Sequence, residues 1–168
     1  MSNISYLLNH YDFNCKESLV IQRQRDVVYK AIWDFKAWPN ILKLVKKIKT
    51  IYDDGTYQEF LMDVFNGEKG IIKVRSIRKC GEQEIDFFQP VPPVFLKYHA
   101  GKWIFNSKED STKCELTCYH FWNLSPSAQE YYATDNHEFI EKKVSEFLKD
   151  HAKKALISWK KYLENKNL

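Results

Sequence analysis

The sequence predicts an α+β fold: a curved antiparallel sheet of about seven strands wraps around one long C-terminal helix and encloses an internal cavity. Three observations predict it. Apolar residues from Ile140 to Leu163 recur at helical spacing, the apolar period from Leu44 to Leu124 is two, and two short helical patterns separate a first strand from that block. On the C-terminal stretch Ile140, Val144, Phe147, Leu148, His151, Ala155, Leu156, Trp159 and Leu163 share one broad face, and the lysines lie mostly elsewhere. The roughly 28 residues from His137 to Glu164, at about 1.5 Å each, make an element of about 42 Å. Asp135 followed by Glu138 reads as a capping box at its start.

The remaining elements follow in order. Ile4 to Tyr11 reads as an extended piece, and Glu17 to Gln24, alternating and rich in branched residues, as the first strand. A short helix opens at Asp26 with Val27, Val28, Ala31 and Ile32 on one side; Pro39 interrupts, and a second short helix through Ile41 and Leu42 follows. Val45 to Tyr52 ends at Asp53-Asp54-Gly55, Thr56 to Phe65 at Asn66-Gly67, and Gly70 to Lys79 at Cys80-Gly81, so these are consecutive antiparallel strands. Glu82 to Phe88 is a strand stopped by Pro90, Pro92 and Pro93. Phe95 to Asn106 and Thr112 to Leu124 form the last pair around a turn at Lys108 to Ser111, and Ser125 to Thr134 connects to the long helix.

At 168 residues the chain fits one domain, spanning residues 1–168, that needs no disulfide or structural metal. The net charge of +4 is modest and its basic residues are interspersed with acidic ones, which argues against a nucleic-acid partner. The densest basic run, Lys43, Lys46, Lys47 and Lys49, is either a solvated face or a dock for an acidic partner. Met1 to Asp12 is too polar for a signal peptide or a membrane span, so a cytoplasmic protein is expected, with Cys15, Cys80, Cys114 and Cys118 as free thiols. No H-E-x-x-H, G-x-S-x-G, G-x-G-x-x-G or paired Cys/His spacing occurs, so no metal or other cofactor is expected. An unpaired edge strand would let two copies pair as a homodimer.

A single helix does not fill a strongly curved sheet, and alternation suggests what lines the space left over. Phe60, Met62 and Val64 share a face, as do Ile72, Val74, Ser76 and Arg78, as do Ile85 and Phe87, and as do Trp103 and Phe105. On the last strand the set is Cys114, Leu116, Cys118, His120 and Trp122, while Lys73, Arg75 and Lys79 point to solvent. The eleven Phe, ten Tyr and five Trp either fill a core or wall this cavity.

Val27-Val28-Tyr29-Lys30-Ala31-Ile32-Trp33-Asp34, then Trp38-Pro39, Gly101-Lys102-Trp103-Ile104-Phe105 and Leu116-Thr117-Cys118-Tyr119-His120-Phe121, before a terminal amphipathic helix, resemble the START-like helix-grip superfamily. Within it the chain is most similar, from about Leu19 to Leu163, to bacterial polyketide cyclases and aromatase/cyclases. The resemblance implies a pocket that takes a poly-β-ketone from an acyl carrier protein and directs aldol ring closure and dehydration without a cofactor. It also implies a pocket arginine, matched at Arg78 with Arg75 as the fallback, and a histidine matched at His120. Some members carry a pocket tyrosine where this chain has Val45.

The residue chemistry supports the same assignment. An enolate forming on a ketone in an apolar pocket needs a fixed cation, the role of Arg78, and proton transfer near neutrality suits His120. Trp38, Phe60, Phe87, Trp103 and Phe105 would mould the chain, with Met62, Val74, Ser76, Cys118 and His151 completing the expected substrate contacts. A carrier of a hydrophobic small molecule (a lipid, quinone or polyketide), with no chemistry, is the alternative the sequence leaves open.

Overall fold

The computed structural model describes residues 4–66, 70–108 and 111–165. Seven strands form one antiparallel sheet: β1 (Phe13–Ile21), β2 (Val45–Asp53), β3 (Tyr57–Phe65), β4 (Ile71–Cys80), β5 (Glu84–Val91), β6 (Leu96–Ser107) and β7 (Cys114–Leu124). Their spatial order is β1-β7-β6-β5-β4-β3-β2, so the first two strands in sequence sit at opposite edges. The chain crosses between those edges through helix α2 (Arg25–Trp33) and a 3-10 helix (Phe35–Asn40). Helix α4 (His137–Asn165) lies on the concave face, burying Ile140, Val144, Leu148, Ala152, Leu156, Trp159 and Leu163.

α4 packs along β1 and β7, one side of the sheet, while β3, β4 and β5 arch over its other flank. Two apolar clusters fill the ends of the space between. One joins Val28, Ile32, Phe35, Trp38, Phe60, Phe105, Leu116 and Trp159; the other joins Phe95, Leu96, Trp122, Ile140, Val144 and Leu148. Between Leu148 and Trp159 the helix face turned to the sheet carries Ala152 and Ala155, whose small side chains leave room. The cavity occupies that room.

Period-two alternation holds on the strands that matter. Phe60 on β3, Val74, Ser76 and Arg78 on β4, and Ile85 on β5 are buried on the concave face, and Lys73 and Lys79 are exposed on the other. The Asp53-Asp54-Gly55 turn forms as expected: Gly55 takes φ +89° and Asp54 Oδ1 accepts the Thr56 and Tyr57 amides at 2.9 and 2.7 Å. The expected Asn66-Gly67 and Lys108 to Ser111 turns each include residues outside the described set.

Several elements differ from the sequence reading. Residues 4–11, expected as extended, form helix α1 (Ile4–His10), in which Leu7 is buried and Tyr6 stacks on His10 one turn away. β1 begins at Phe13, four residues early, because it pairs with β7 from Phe13↔Trp122 to Ile21↔Cys114. Pro39 lies inside the 3-10 helix instead of ending a helix, and the Ile41 and Leu42 amides close onto Trp38 O. Pro90 does not stop β5, which runs to Val91; a register shift between Arg75↔Val91 and Ile77↔Phe88 absorbs the residue that has no amide to donate. The connector holds helix α3 (Ala128–Tyr132), and α4 is capped by Asn136, whose Oδ1 accepts the Phe139 amide at 3.0 Å, not by an Asp135 box.

Candidate functional site

A cavity of about 440 Å³ lies between α4 and the sheet. Its floor comes from the inward residues of three neighbouring strands: Phe60 and Met62, then Val74, Ser76 and Arg78, then Phe87 and Gln89. Trp103, His99 and His120 on β6 and β7 make one wall, and His151, Ala152 and Ala155 on α4 make the roof. Trp38, held by its indole N–H to Ile32 O at 3.1 Å, closes one end edge-on to Phe60 and Trp159. Lys43, Leu44, Lys154 and Ile157 line it where Lys43, Lys154 and Ile157 are exposed, which places the mouth between the segment before β2 and α4.

Of the residues singled out from sequence, Trp38, Phe60, Met62, Val74, Ser76, Arg78, Phe87, Trp103, His120 and His151 line this cavity. Phe105 and Cys118 do not. Phe105 faces the concave side, but it belongs to the apolar cluster with Val28 and Ile32, against Tyr29, with ring centroids 5.1 Å apart. Cys118, two residues before His120 on the same face of β7, is buried, its Sγ 3.3 Å from His120 Nε2. Arg75, the fallback for Arg78, is on the convex face, paired with Glu59.

Arg78 is 1% exposed and sits among Phe35, Trp38 and Phe60, its guanidinium carbon 5.0 to 5.6 Å from the three ring centroids. Nε donates to Gln58 Oε1 at 3.0 Å, Nη1 to Ile32 O at 2.9 Å, and Nη2 to Trp33 O at 2.6 Å and also to Gln58 Oε1. These bonds engage four of the five guanidinium N–H groups. The acceptors at Ile32 and Trp33 are terminal carbonyls of α2, so Arg78 both ties that helix to the sheet and places a cation at its negative end. Burial lowers its pKa to about 10, which leaves it charged at neutral pH.

The opposite wall is a chain of imidazoles. His99 Nδ1 donates to Gln89 Oε1 at 2.7 Å, His99 Nε2 meets His120 Nδ1 at 2.9 Å, and the two rings stack 5.1 Å apart. Phe87 sets its edge against both. Phe87 in turn lies on Gly101, where a Cβ would overlap its ring and the Tyr119 carbonyl. Burial pushes the His120 pKa down to about 4 and that of His99 well below the ordinary value, so both rings are neutral near pH 7. His151 donates Nδ1–H to Phe147 O at 3.0 Å, and burial lowers its pKa as well.

Neither His99 nor Gln89 is among the catalytic and substrate-contact residues expected from sequence; Tyr98 and His99 near Pro92-Pro93 suggested at most part of a cavity mouth. The signal for His99 was present, because it shares the parity of Trp103 on a strand expected from Phe95. Gln89 shares the parity of Ile85 and Phe87 but was missed because the strand was expected to stop at Phe88, whereas β5 runs to Val91. No cluster of ligands for a metal ion occurs among the described residues.

Solved structures carry the comparison further. The ZhuI aromatase/cyclase from Streptomyces sp. R1128 superposes with a TM-score of 0.81 at 13% identity, covering 90% of this chain and 93% of that one. The fold is the START-like helix grip. A START superfamily protein from Mycobacterium smegmatis matches the same helix-grip architecture with a TM-score of 0.66 at 12% identity, over 85% of this chain and 94% of its own. The di-domain aromatase/cyclase BexL of the BE-7585A biosynthetic pathway gives a TM-score of 0.83 at 17% identity, covering 96% of this chain and 54% of BexL. No protein-family model matches the sequence, and no curated protein matches it. No helix among the described residues is long and apolar enough to cross a membrane.

Proposed function

We propose that this helix-grip protein is a cofactor-independent polyketide cyclase/aromatase, acting on a poly-β-ketone held in the cavity. The observation that carries the reading is a neutral imidazole, His120, on the wall of an apolar cavity whose floor holds a fixed guanidinium, Arg78. The resemblance to aromatase/cyclases in fold supports it.

A CH₂ between two ketones gives up a proton to His120, and the enolate carbon attacks a second ketone of the same chain. One C–C bond forms, the ketone oxygen becomes an alkoxide, and the His120 imidazolium returns the proton to it. Loss of water from the resulting alcohol then gives the unsaturated ring. Arg78 contributes positive potential to the oxygens that become negative, less screened by solvent than an exposed cation would be. Phe60, Phe87, Trp38 and Trp103 contribute orientation, bringing the reacting carbons together out of many conformers. The four lysines Lys43, Lys46, Lys47 and Lys49 are all exposed, and Lys43 is at the mouth, which suits delivery by an acidic acyl carrier protein. If reversing their charge leaves turnover of carrier-bound substrate unchanged, that docking role is lost.

One observation favours a carrier of a hydrophobic small molecule instead. Arg78 spends most of its N–H groups on backbone carbonyls and Gln58, as a structural arginine does. Product analysis by mass spectrometry separates the two readings. A minimal aromatic polyketide synthase is run alone, with the wild type and with His120→Phe; a new cyclised compound from the wild type only supports the cyclase. Identical profiles in all three, with ligand bound to the folded protein, support the carrier.

A further inference from the structure

The hydrogen-bond directions along the imidazole wall specify what the wall accepts. Gln89 Oε1 is an acceptor, so the proton between it and His99 is on His99 Nδ1. Across the 2.9 Å contact between His99 Nε2 and His120 Nδ1 only one of the two nitrogens carries a proton, because two N–H groups would collide there. With the single proton of neutral His99 on Nδ1, its Nε2 accepts and His120 Nδ1 donates. His120 Nε2 is therefore a lone pair, and the donor facing it is the Cys118 thiol at 3.3 Å, a weak one. His120, His99 and Gln89 all line the cavity, but His120 is only half-buried whereas His99 and Gln89 are buried. On the roof, His151 spends Nδ1–H on Phe147 O; its Nε2 is a second acceptor, buried and with no hydrogen-bond partner among the described residues.

We propose that this wall is an acceptor surface that selects ligands bearing an enol or phenol hydroxyl, which donates to His120 Nε2 in place of the Cys118 thiol, with Gln89 and His99 as the residues that fix the tautomer. A hydroxyl brings the proton that the wall lacks. A methyl ether of the same shape brings none, and a carboxylate brings only lone pairs to meet lone pairs. The proposal rests on the cavity being the ligand site, as in the function proposed above, but not on catalysis there.

The test uses the full chain and three probes of one shape, 2-naphthol, 2-methoxynaphthalene and 2-naphthoate, titrated by fluorescence at neutral pH. We expect naphthol to bind about 10-fold more tightly than the ether, with naphthoate weakest. Gln89→Leu reduces the naphthol preference over the ether to about 3-fold or less, whereas Gln89→Glu, which still accepts from His99 Nδ1, retains it. Nitrogen-15 NMR of the wild type, which needs no variant, should find His120 protonated on Nδ1 and bare on Nε2. Equal binding of naphthol and ether, tighter binding of naphthoate, binding of none of the three, or a proton on His120 Nε2 would each overturn the proposal. If the hydroxyl preference holds while the synthase products stay unchanged, the cyclase reading fails and this one stands.

Discussion

Arg78 illustrates how one residue serves fold and site together. Its guanidinium satisfies Gln58 and the last carbonyls of α2, so Arg78→Leu leaves Ile32 O, Trp33 O and Gln58 Oε1 short of buried donors. We expect a loss of about 3–5 kcal/mol in urea unfolding, from several charge-assisted bonds each worth roughly 1.5–3 kcal/mol. A loss under about 1 kcal/mol would show that other groups hold the α2 terminus. The histidines make a prediction in pH. The unfolded chain takes up imidazole protons near 6.5, but folded His120 does so only near 4 and folded His99 well below its ordinary value, burial being the main cause for both. Their contribution to stability is thus full above about pH 6.5 and is lost as pH falls toward 4. The thermal midpoint should fall through that window, and His120→Phe should flatten the fall; an unchanged slope would count against buried neutral imidazoles. At this scale the sequence was informative about type more than partner. The parity of β4 pointed Arg78 inward and Arg75 outward, whereas the bonds that commit Arg78 to α2 join residues 45 and 46 positions apart and leave no trace in a local pattern.

At the scale of elements, the strands were legible because period-two alternation and Asp-Gly turn chemistry are both local signals, and α4 because its apolar stripe runs for many turns. α1 was not legible: with seven residues and one buried leucine it has too little periodicity to distinguish helix from strand. Pro90 misled for a related reason, since whether a proline ends a strand depends on the partner, and the shift opposite Arg75 and Ile77 is visible only in the paired sheet. Two end signals of helices give tests. Asn136→Ala removes the side-chain acceptor for the Phe139 amide and should cost about 1 kcal/mol of stability by urea unfolding. Ala133, at the end of α3, is the one non-glycine residue with positive φ among those described, at +52°. Ala133→Gly should raise stability by about 0.5–1 kcal/mol, as relief of left-handed strain outweighs the added freedom of the unfolded chain. A decrease would mean that the Ala133 methyl makes compensating contacts.

For the whole molecule, the cavity arises from a mismatch between one helix and a seven-stranded sheet. α4 packs on β1 and β7, the sheet arches past it, and Ala152 and Ala155 fail to fill the gap. That a cavity exists could be argued from sequence, because the long helix and the strand count already disagree in width. Its polar wall could not, because the wall depends on the β5 and β6 register that brings Gln89 and His99 beside His120. The sheet edges are β1 and β2; β2 carries Lys46, Lys47 and Lys49 and two register shifts, features that blunt edge pairing, and pairing of two copies through β2 remains a proposal for solution scattering to test. The cyclase proposal places ring closure in the cavity. The most direct test replaces Met62, on the cavity floor, by tryptophan and compares products of a minimal aromatic polyketide synthase with wild type, with Met62→Trp and with no added protein. We expect a new cyclised compound from the wild type alone, with Met62→Trp folded at an unchanged thermal midpoint and its profile matching that of the bare synthase. The same new compound from both proteins, or none from the wild type, would contradict it.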